Sequence, residues 1–377
     1  MKLHSGKRKY WIAAAALAAC VLLWTPLQRA VLSARLALSL QQLASGRIEQ
    51  NSAINEAKIR RSYKGRDYEA LLYGPARSAP ETAVVLVAGL SELGCYHPRL
   101  VALSRVLAGK GLMVIAPDIR EFRDFQISAE PIEQILFWYK RAPHLQGGAQ
   151  IQKTGLAGIS YSGTLALIAA AKPEIRDSVG FVAAVGPYCS LLRCTRNWFA
   201  ADAAARPGDS YPTRFYAKWI VMRSALEMVS SPRDRAFLHS VLDNLLLEKK
   251  VPPAGPELSD EGKRWYGLAT MPANRADSEL AQEIERYLIP RLFSQIEPEA
   301  SLGKIKCPVF LIHGAHDDLI PSTESIELHR QISNSELLIV PFLTHTHPTS
   351  AQLNLMQKAD ASIDTLIFCY KFSRVIL

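Results

Sequence analysis

The stretch Lys153-Thr154-Gly155-Leu156-Ala157-Gly158-Ile159-Ser160-Tyr161-Ser162-Gly163 begins as a short apolar strand and runs into a helix-like segment over residues 164–171. Ser160 stands at the junction. With Gly158 two residues before it and the small Ser162 two after, the chain has room for a sharp strand-to-helix turn. Such a turn lifts the Ser160 hydroxyl above the end of a sheet, while the N–H of Tyr161 opens the following helix. A nucleophile and an oxyanion donor therefore arrive together, which is the logic of a G-x-S-x-G elbow. The strict pattern is not met, because Ser162 occupies the place of its last glycine and Gly163 follows.

Outward from this turn, short apolar runs alternate with helix-length segments. Strands are expected over residues 68–73, 83–88, 112–116, 155–159, 181–185, 309–312 and 337–340, and helices over 99–107 (after His97-Pro98), 131–139 and 164–171. Apolar strands alternating with helices predict an α/β chain, a mostly parallel central sheet with helices on both faces. Residues 191–301 break the rhythm. They are charge-rich, offer no strong strand, and read as helices over 214–229, 233–247 and 278–293 with a bend at Pro252-Pro253. This predicts a helical insertion that caps the site, the alternative being a helical extension packed elsewhere.

Three further pieces lie at strand ends. Val84-Val85-Leu86-Val87-Ala88-Gly89-Leu90 is an apolar strand closing on a glycine turn, so the Leu90 N–H is expected to point toward the elbow as a second oxyanion donor. Pro308-Val309-Phe310-Leu311-Ile312-His313-Gly314-Ala315-His316-Asp317-Asp318 runs a strand into a loop bearing a carboxylate. Asp317 there can orient a histidine and stabilise its imidazolium, with Asp318 as the rival. Last, Leu337-Leu338-Ile339-Val340-Pro341-Phe342-Leu343-Thr344-His345-Thr346-His347 delivers a histidine just beyond a strand. A histidine suits the base because imidazole titrates near neutrality.

In this order, these motifs resemble the α/β-hydrolase superfamily over residues 65–190 and 302–377, whose chain order of nucleophile, acid and base is Ser, Asp, His. The resemblance implies Ser160 as nucleophile, Asp317 as acid and His345 as base, with the N–H groups of Leu90 and Tyr161 forming the oxyanion hole. His347, followed by Pro348, is the alternative base. The chain departs from the family's pattern at Ser162, and at Ala88 where many members carry a histidine.

The ends of the chain complete the organisation. Lys7-Arg8-Lys9 precedes an apolar run from Tyr10 to Trp24 and then Thr25-Pro26-Leu27. This reads as an uncleaved membrane anchor or a signal segment. Residues 30–43 continue as an amphipathic helix. Leu17-Ala18-Ala19-Cys20 also resembles a bacterial lipoprotein cleavage box, although Val21-Leu22-Leu23-Trp24 stays apolar beyond it. The basic residues before the run favour a single-pass anchor with an exported domain. The expected divisions are 1–44 (anchor and amphipathic helix), 45–66 (linker), 67–190 (first part of the hydrolase core), 191–301 (cap) and 302–377 (second part).

The net charge of +9 does not indicate nucleic acid. Lys2, Lys7, Arg8, Lys9, Arg29 and Arg35 stand in the first 40 residues without an acid, leaving +3 for the rest of the chain. Six scattered cysteines with no C-x-x-C pair exclude a disulfide framework and a structural zinc site. Free thiols are expected, with a Cys189–Cys194 pair as the alternative. His313, His316, Asp317, Asp318, His345 and His347 could as a set hold zinc, but strand ends of a serine hydrolase account for them and no H-E-x-x-H helix exists.

The function expected is therefore a membrane-anchored serine hydrolase that cleaves a carboxylic ester or related acyl bond, lipid-like on the ground of location, with no metal or organic cofactor. A hydrolase fold without catalysis, acting as a membrane-tethered binding or scaffold protein, is the alternative.

Overall fold

In the computed structural model, residues 29–39, 53–145, 151–200, 214–270, 278–345 and 355–376 are described. Among them, eight strands form one sheet: β1 (Ile54–Tyr63), β2 (Arg66–Pro75), β3 (Thr82–Val87), β4 (Met113–Pro117), β5 (Lys153–Ile159), β6 (Val179–Val185), β7 (Val309–Gly314) and β8 (Ser335–Val340). Their order across the sheet is β1-β2-β4-β3-β5-β6-β7-β8. From β4 to β8 every pairing is parallel, whereas β2 joins β4, and β1 joins β2, antiparallel. Both β3 and β4 are buried at every position. This explains why they read as unbroken apolar runs rather than alternating ones.

One strand contradicts the expected linker over 45–66. Residues 54–63 are the edge strand β1, almost wholly exposed. Its polar side chains hid it, because an edge strand facing water on both sides carries no apolar alternation. The full ten-residue ladder with β2 and ion pairs from Lys58 and Arg60 to Glu69 hold it instead.

The helices are α1 (residues 29–39), α2 (Pro98–Gly109), α3 (Arg120–Arg123), α4 (Glu130–Arg141), α5 (Tyr161–Ala170), α6 (Leu191–Phe199), α7 (Arg214–Ser224), α8 (Pro232–Leu246), α9 (Asp260–Thr270), α10 (Ser278–Leu288), α11 (Ser294–Ile296), α12 (Glu299–Leu302), α13 (Thr323–Gln331) and α14 (Leu355–Ile376). Alternation along β3 divides the core. Ala83, Val85 and Val87 join the cluster with α4, α5 and the cap; Val84 and Leu86 join the one with α1, α2 and α14. Every residue of α5 is buried, so this helix is apolar all round and carries no amphipathic stripe.

Helices α6 to α12 lie between β6 and β7 in the chain and share the first core. Lys218 Nζ donates to Leu268 O (2.8 Å) and Trp219 Nε1 to Ala269 O (2.9 Å), tying α7 to α9. Trp198, Trp219 and Trp265 are buried, while Tyr211 lies outside the described residues. So do the apolar run from Tyr10 to Trp24 and Cys20. Among the described residues no helix is long and apolar enough to cross a membrane. Cys189 and Cys194 are buried free thiols, as are Cys95, Cys307 and Cys369.

Candidate active site

Ser160 sits between β5 and α5 with φ 60° and ψ −128°, left-handed backbone that a non-glycine residue adopts at a cost of order 1–3 kcal/mol. Two groups hold it there. Ser160 N–H donates to Val185 O (2.6 Å), and Ile159 N–H donates to Ser162 Oγ (2.9 Å). Ser162, the departure from the elbow pattern, is fully buried and its hydroxyl lies 3.0 Å from both Val87 O and Ile159 O. Its side chain therefore bonds within the turn rather than obstructing it. Gly158 has no such latitude: a Cβ there would stand 2.4 Å from Ser162 O.

Asp317, the expected acid, is delivered by the loop after β7. Asp317 Oδ1 accepts from the N–H groups of Leu319 (3.0 Å) and Ile320 (2.8 Å), and its Oδ2 faces His345 Nδ1 at 2.7 Å. His345, the expected base, comes from the turn after β8, which can cross so close to β7 only because residue 314 is glycine. A Cβ on Gly314 would meet Leu343 O at 2.4 Å and Thr344 O at 2.6 Å. His345 Nε2 then lies 2.9 Å from Ser160 Oγ. With a carboxylate on its Nδ1 side, the imidazole carries its proton there, leaving the Nε2 lone pair for the serine hydroxyl. The Asp317 and His345 side chains are 1% and 6% exposed, so water competes little for these bonds.

Electrostatics favour an ionised acid. Burial by itself would raise the Asp317 pKa. Hydrogen bonds from His313 and His345, the His345 charge and the Ile320 N–H outweigh it and hold the carboxyl below the ordinary value of 3.8. His313 is wholly buried, with Nε2 2.7 Å from Ile320 O and 3.3 Å from Asp317 Oδ2, and Nδ1 2.6 Å from Ser325 Oγ. Two acceptors beside Nε2 place the proton on that nitrogen, so Nδ1 accepts from the Ser325 hydroxyl. His313 belongs to the strand-His-Gly motif, yet its bond to the acid depends on how the following loop folds back.

The expected oxyanion donors border the same site. Leu90 and Tyr161 both line the cavity that contains Ser160 and His345. A Cβ on Gly89 would lie 3.7 Å from Ser160 Cβ, which shows how tightly the turn after β3 abuts the elbow. Tyr216, on α7 of the cap, donates to Leu90 O (3.0 Å) and so holds the Leu90–Ser91 peptide, the neighbour of the one that carries the Leu90 N–H. Tyr161 is fixed by its hydroxyl, which donates to Ser128 O (2.8 Å) and accepts from Ser128 N–H (3.1 Å). Gly186, at φ 61°, forms the floor beneath the acid and base: a Cβ there would lie 3.6 Å from Asp317 Oδ2 and 3.6 Å from His345 Cε1. Sequence reasoning took Tyr216 for a core or pocket-lining aromatic and missed its bond to Leu90, and it missed Gly186. Nothing local marks either, since both act across the tertiary fold.

The rivals fall elsewhere. Asp318 is exposed, as is His316, while His347 lies outside the described residues. Among the described residues, no three His, Cys, Asp or Glu side chains stand together as a metal-ion site.

No protein-family model matches the chain, and no curated protein matches it significantly. Solved structures do. Est1E from Butyrivibrio proteoclasticus is 16% identical with a TM-score of 0.47, over 82% of this chain and 98% of that one. An acylaminoacyl peptidase from Pyrococcus horikoshii is 14% identical with a TM-score of 0.46, over 78% of this chain and 38% of that one. An alpha/beta fold family hydrolase from Bacillus anthracis is 14% identical with a TM-score of 0.44, over 86% of this chain and 100% of that one. The chain's own strand order carries the Ser160 elbow after β5 and the Asp317 and His345 loops after β7 and β8. By that architecture the chain has the α/β-hydrolase fold.

Proposed function

We propose that this chain is a membrane-anchored serine hydrolase that cleaves a carboxylic ester or related acyl bond through an acyl-enzyme. The observation that carries the reading is the relay Ser160 Oγ, His345 Nε2, His345 Nδ1 and Asp317 Oδ2, with separations of 2.9 and 2.7 Å. His345 takes the hydroxyl proton as Ser160 Oγ bonds to the substrate carbonyl carbon. The Leu90 and Tyr161 N–H groups receive the charge that develops on oxygen. The tetrahedral intermediate then expels the alcohol, which takes its proton from His345. A water, deprotonated in turn by His345, attacks the acyl carbon, and the carboxylic acid leaves as Ser160 regains its hydrogen. Acyl transfer by this route needs no metal and no organic cofactor.

Anchoring belongs to the same proposal and rests on the apolar run beginning at Tyr10. The exported side is favoured by Lys7, Arg8 and Lys9 before that run. A hydrophobic, lipid-like ester fits a catalytic domain held at a bilayer.

Labelling with a fluorophosphonate probe tests the chemistry, with wild type beside Ser160→Ala. The expected result is covalent labelling of the wild type, its disappearance in Ser160→Ala, and an ester-hydrolysis rate lowered by about 10⁴-fold or more. A folded wild-type protein that resists the probe and hydrolyses no ester would instead leave a binding or scaffold role for the fold.

A further inference from the structure

The cavity containing Ser160 reaches far beyond what a small ester requires. Its volume is about 1820 Å³, against roughly 300–1,000 Å³ for ordinary small-molecule pockets. One arm lies beneath the cap, lined by Trp198, Tyr216, Trp219, Ile220 and Leu319. The second extends over the opposite face of the sheet, between α1, α2 and α14. There Ala37, Leu38, Leu100, Leu103, Thr365 and Phe368 line it, while Phe342 and Leu343 border the same cavity in the turn leading to His345.

The chemistry of this second arm is specific. Every side chain that α1 and α14 contribute to it is uncharged, and Ala34, Ala37, Ala361 and Ser362 are small enough to leave an open lane between the helices. The walls are anchored. Leu36 and Ala37 are buried against the core that contains Phe368 and Cys369, Ser33 Oγ lies 3.2 Å from Ser373 Oγ, and Thr82 Oγ1 donates to Ile376 O (2.8 Å). At the rim, Leu38 on α1 and Leu366 on α14 line the cavity while 56% and 43% exposed. Val31, Ile363 and Ile367 on the same two helices are exposed as well. Of the side chains that line the lane from α1, α2 and α14, only the half-buried Arg99 of α2 is charged. A lane otherwise uncharged, which shares its cavity with Ser160 and opens through an apolar rim, matches an extended hydrocarbon chain, which has no polar group to satisfy along its length.

We infer that the arm between α1, α2 and α14 is a chamber for the long unbranched hydrocarbon chain of the substrate ester, with the ester carbonyl at Ser160. The inference rests on reading Ser160 as the nucleophile. It assigns α1, which follows the N-terminal apolar run, a part in binding substrate.

Two readouts test it on the full-length protein. In the first, binding of the fluorescent fatty acid cis-parinaric acid is measured on Ser160→Ala, with and without Thr365→Trp, which fills the arm from α14. The expected result is binding that Thr365→Trp weakens at least ten-fold. In the second, p-nitrophenyl palmitate and butyrate are compared in an otherwise wild-type background. Thr365→Trp is expected to lower the palmitate-to-butyrate ratio of kcat/KM at least ten-fold. Leu366→Glu, at the exposed rim, is expected to act in the same direction and covers the case in which the buried tryptophan prevents folding. Ester hydrolysis whose chain-length ratio and fatty-acid binding are both indifferent to these substitutions would overturn the chamber and leave the serine hydrolase standing. Fatty-acid binding that the substitutions weaken, in a wild-type protein that hydrolyses neither ester, would support the chamber and overturn the hydrolase.

Discussion

Asp317 is a buried carboxylate kept charged by its neighbours, so its role has two measurable faces. Asp317→Asn keeps the shape but removes the charge that fixes the His345 tautomer, and kcat for ester hydrolysis is expected to fall about 10⁴-fold. The second face is stability against acid. Because the folded-state pKa of Asp317 lies below its unfolded value of 3.8, ionised Asp317 stabilises the fold. That contribution is complete above the unfolded value and is lost as pH falls toward the folded one. The stability advantage of wild type over Asp317→Asn, measured by urea unfolding, should therefore shrink between about pH 5 and about pH 2. A constant difference across that interval would show that the carboxylate is not held by the bonds from His313, His345 and the Ile320 N–H.

Between elements, the contact that matters most is the one from the cap to the oxyanion loop. Tyr216 on α7 donates to Leu90 O, and its ring meets Phe125 edge-on at 5.7 Å. Removing the hydroxyl leaves the ring packing intact and frees the Leu90–Ser91 peptide, through which the adjoining peptide with the Leu90 N–H is positioned. Tyr216→Phe is expected to cost about 1 kcal/mol or less in stability. It should lower kcat about 10-fold, less than the ~10²–10³ of losing a donor outright, because the Leu90 N–H is displaced rather than deleted. An unchanged kcat in a variant of normal stability would separate the cap from the chemistry. The same element-level logic explains β1. A strand held by its ladder and by Glu69 leaves no apolar signature, so residues 54–63 read as linker until their pairing partner was placed beside them.

For the molecule as a whole, the open question is its attachment. The apolar run from Tyr10 to Trp24 and the basic cluster before it predict that the full-length protein sediments with membranes and resists extraction by high salt. Deleting residues 1–28 should release it. Full-length protein in the soluble fraction would remove the anchor from the proposal, and with it the ground for an exported domain. The proposed anchor and the proposed chamber meet at α1, which follows the apolar run in sequence and lines the cavity.

That Ser160, Asp317 and His345 follow strands in this order was legible in the sequence. Ser160 after a strand, Asp317 after another and His345 after a third are local facts: each is written as an apolar run ending in a turn that bears a polar side chain. The parallel sheet was legible for the same reason, because strands covered on both faces must be apolar throughout. What only the tertiary structure decided are relations between segments distant in sequence. Gly314 admits the backbone of Leu343 and Thr344, the Gly186 turn at φ 61° lies against Asp317 and His345, and Tyr216 reaches Leu90 across 126 residues. It likewise decided that side chains of α1, α2 and α14 line the same cavity as Ser160. Close approach and enclosed volume belong to pairs of surfaces, and neither surface carries them alone in its own sequence.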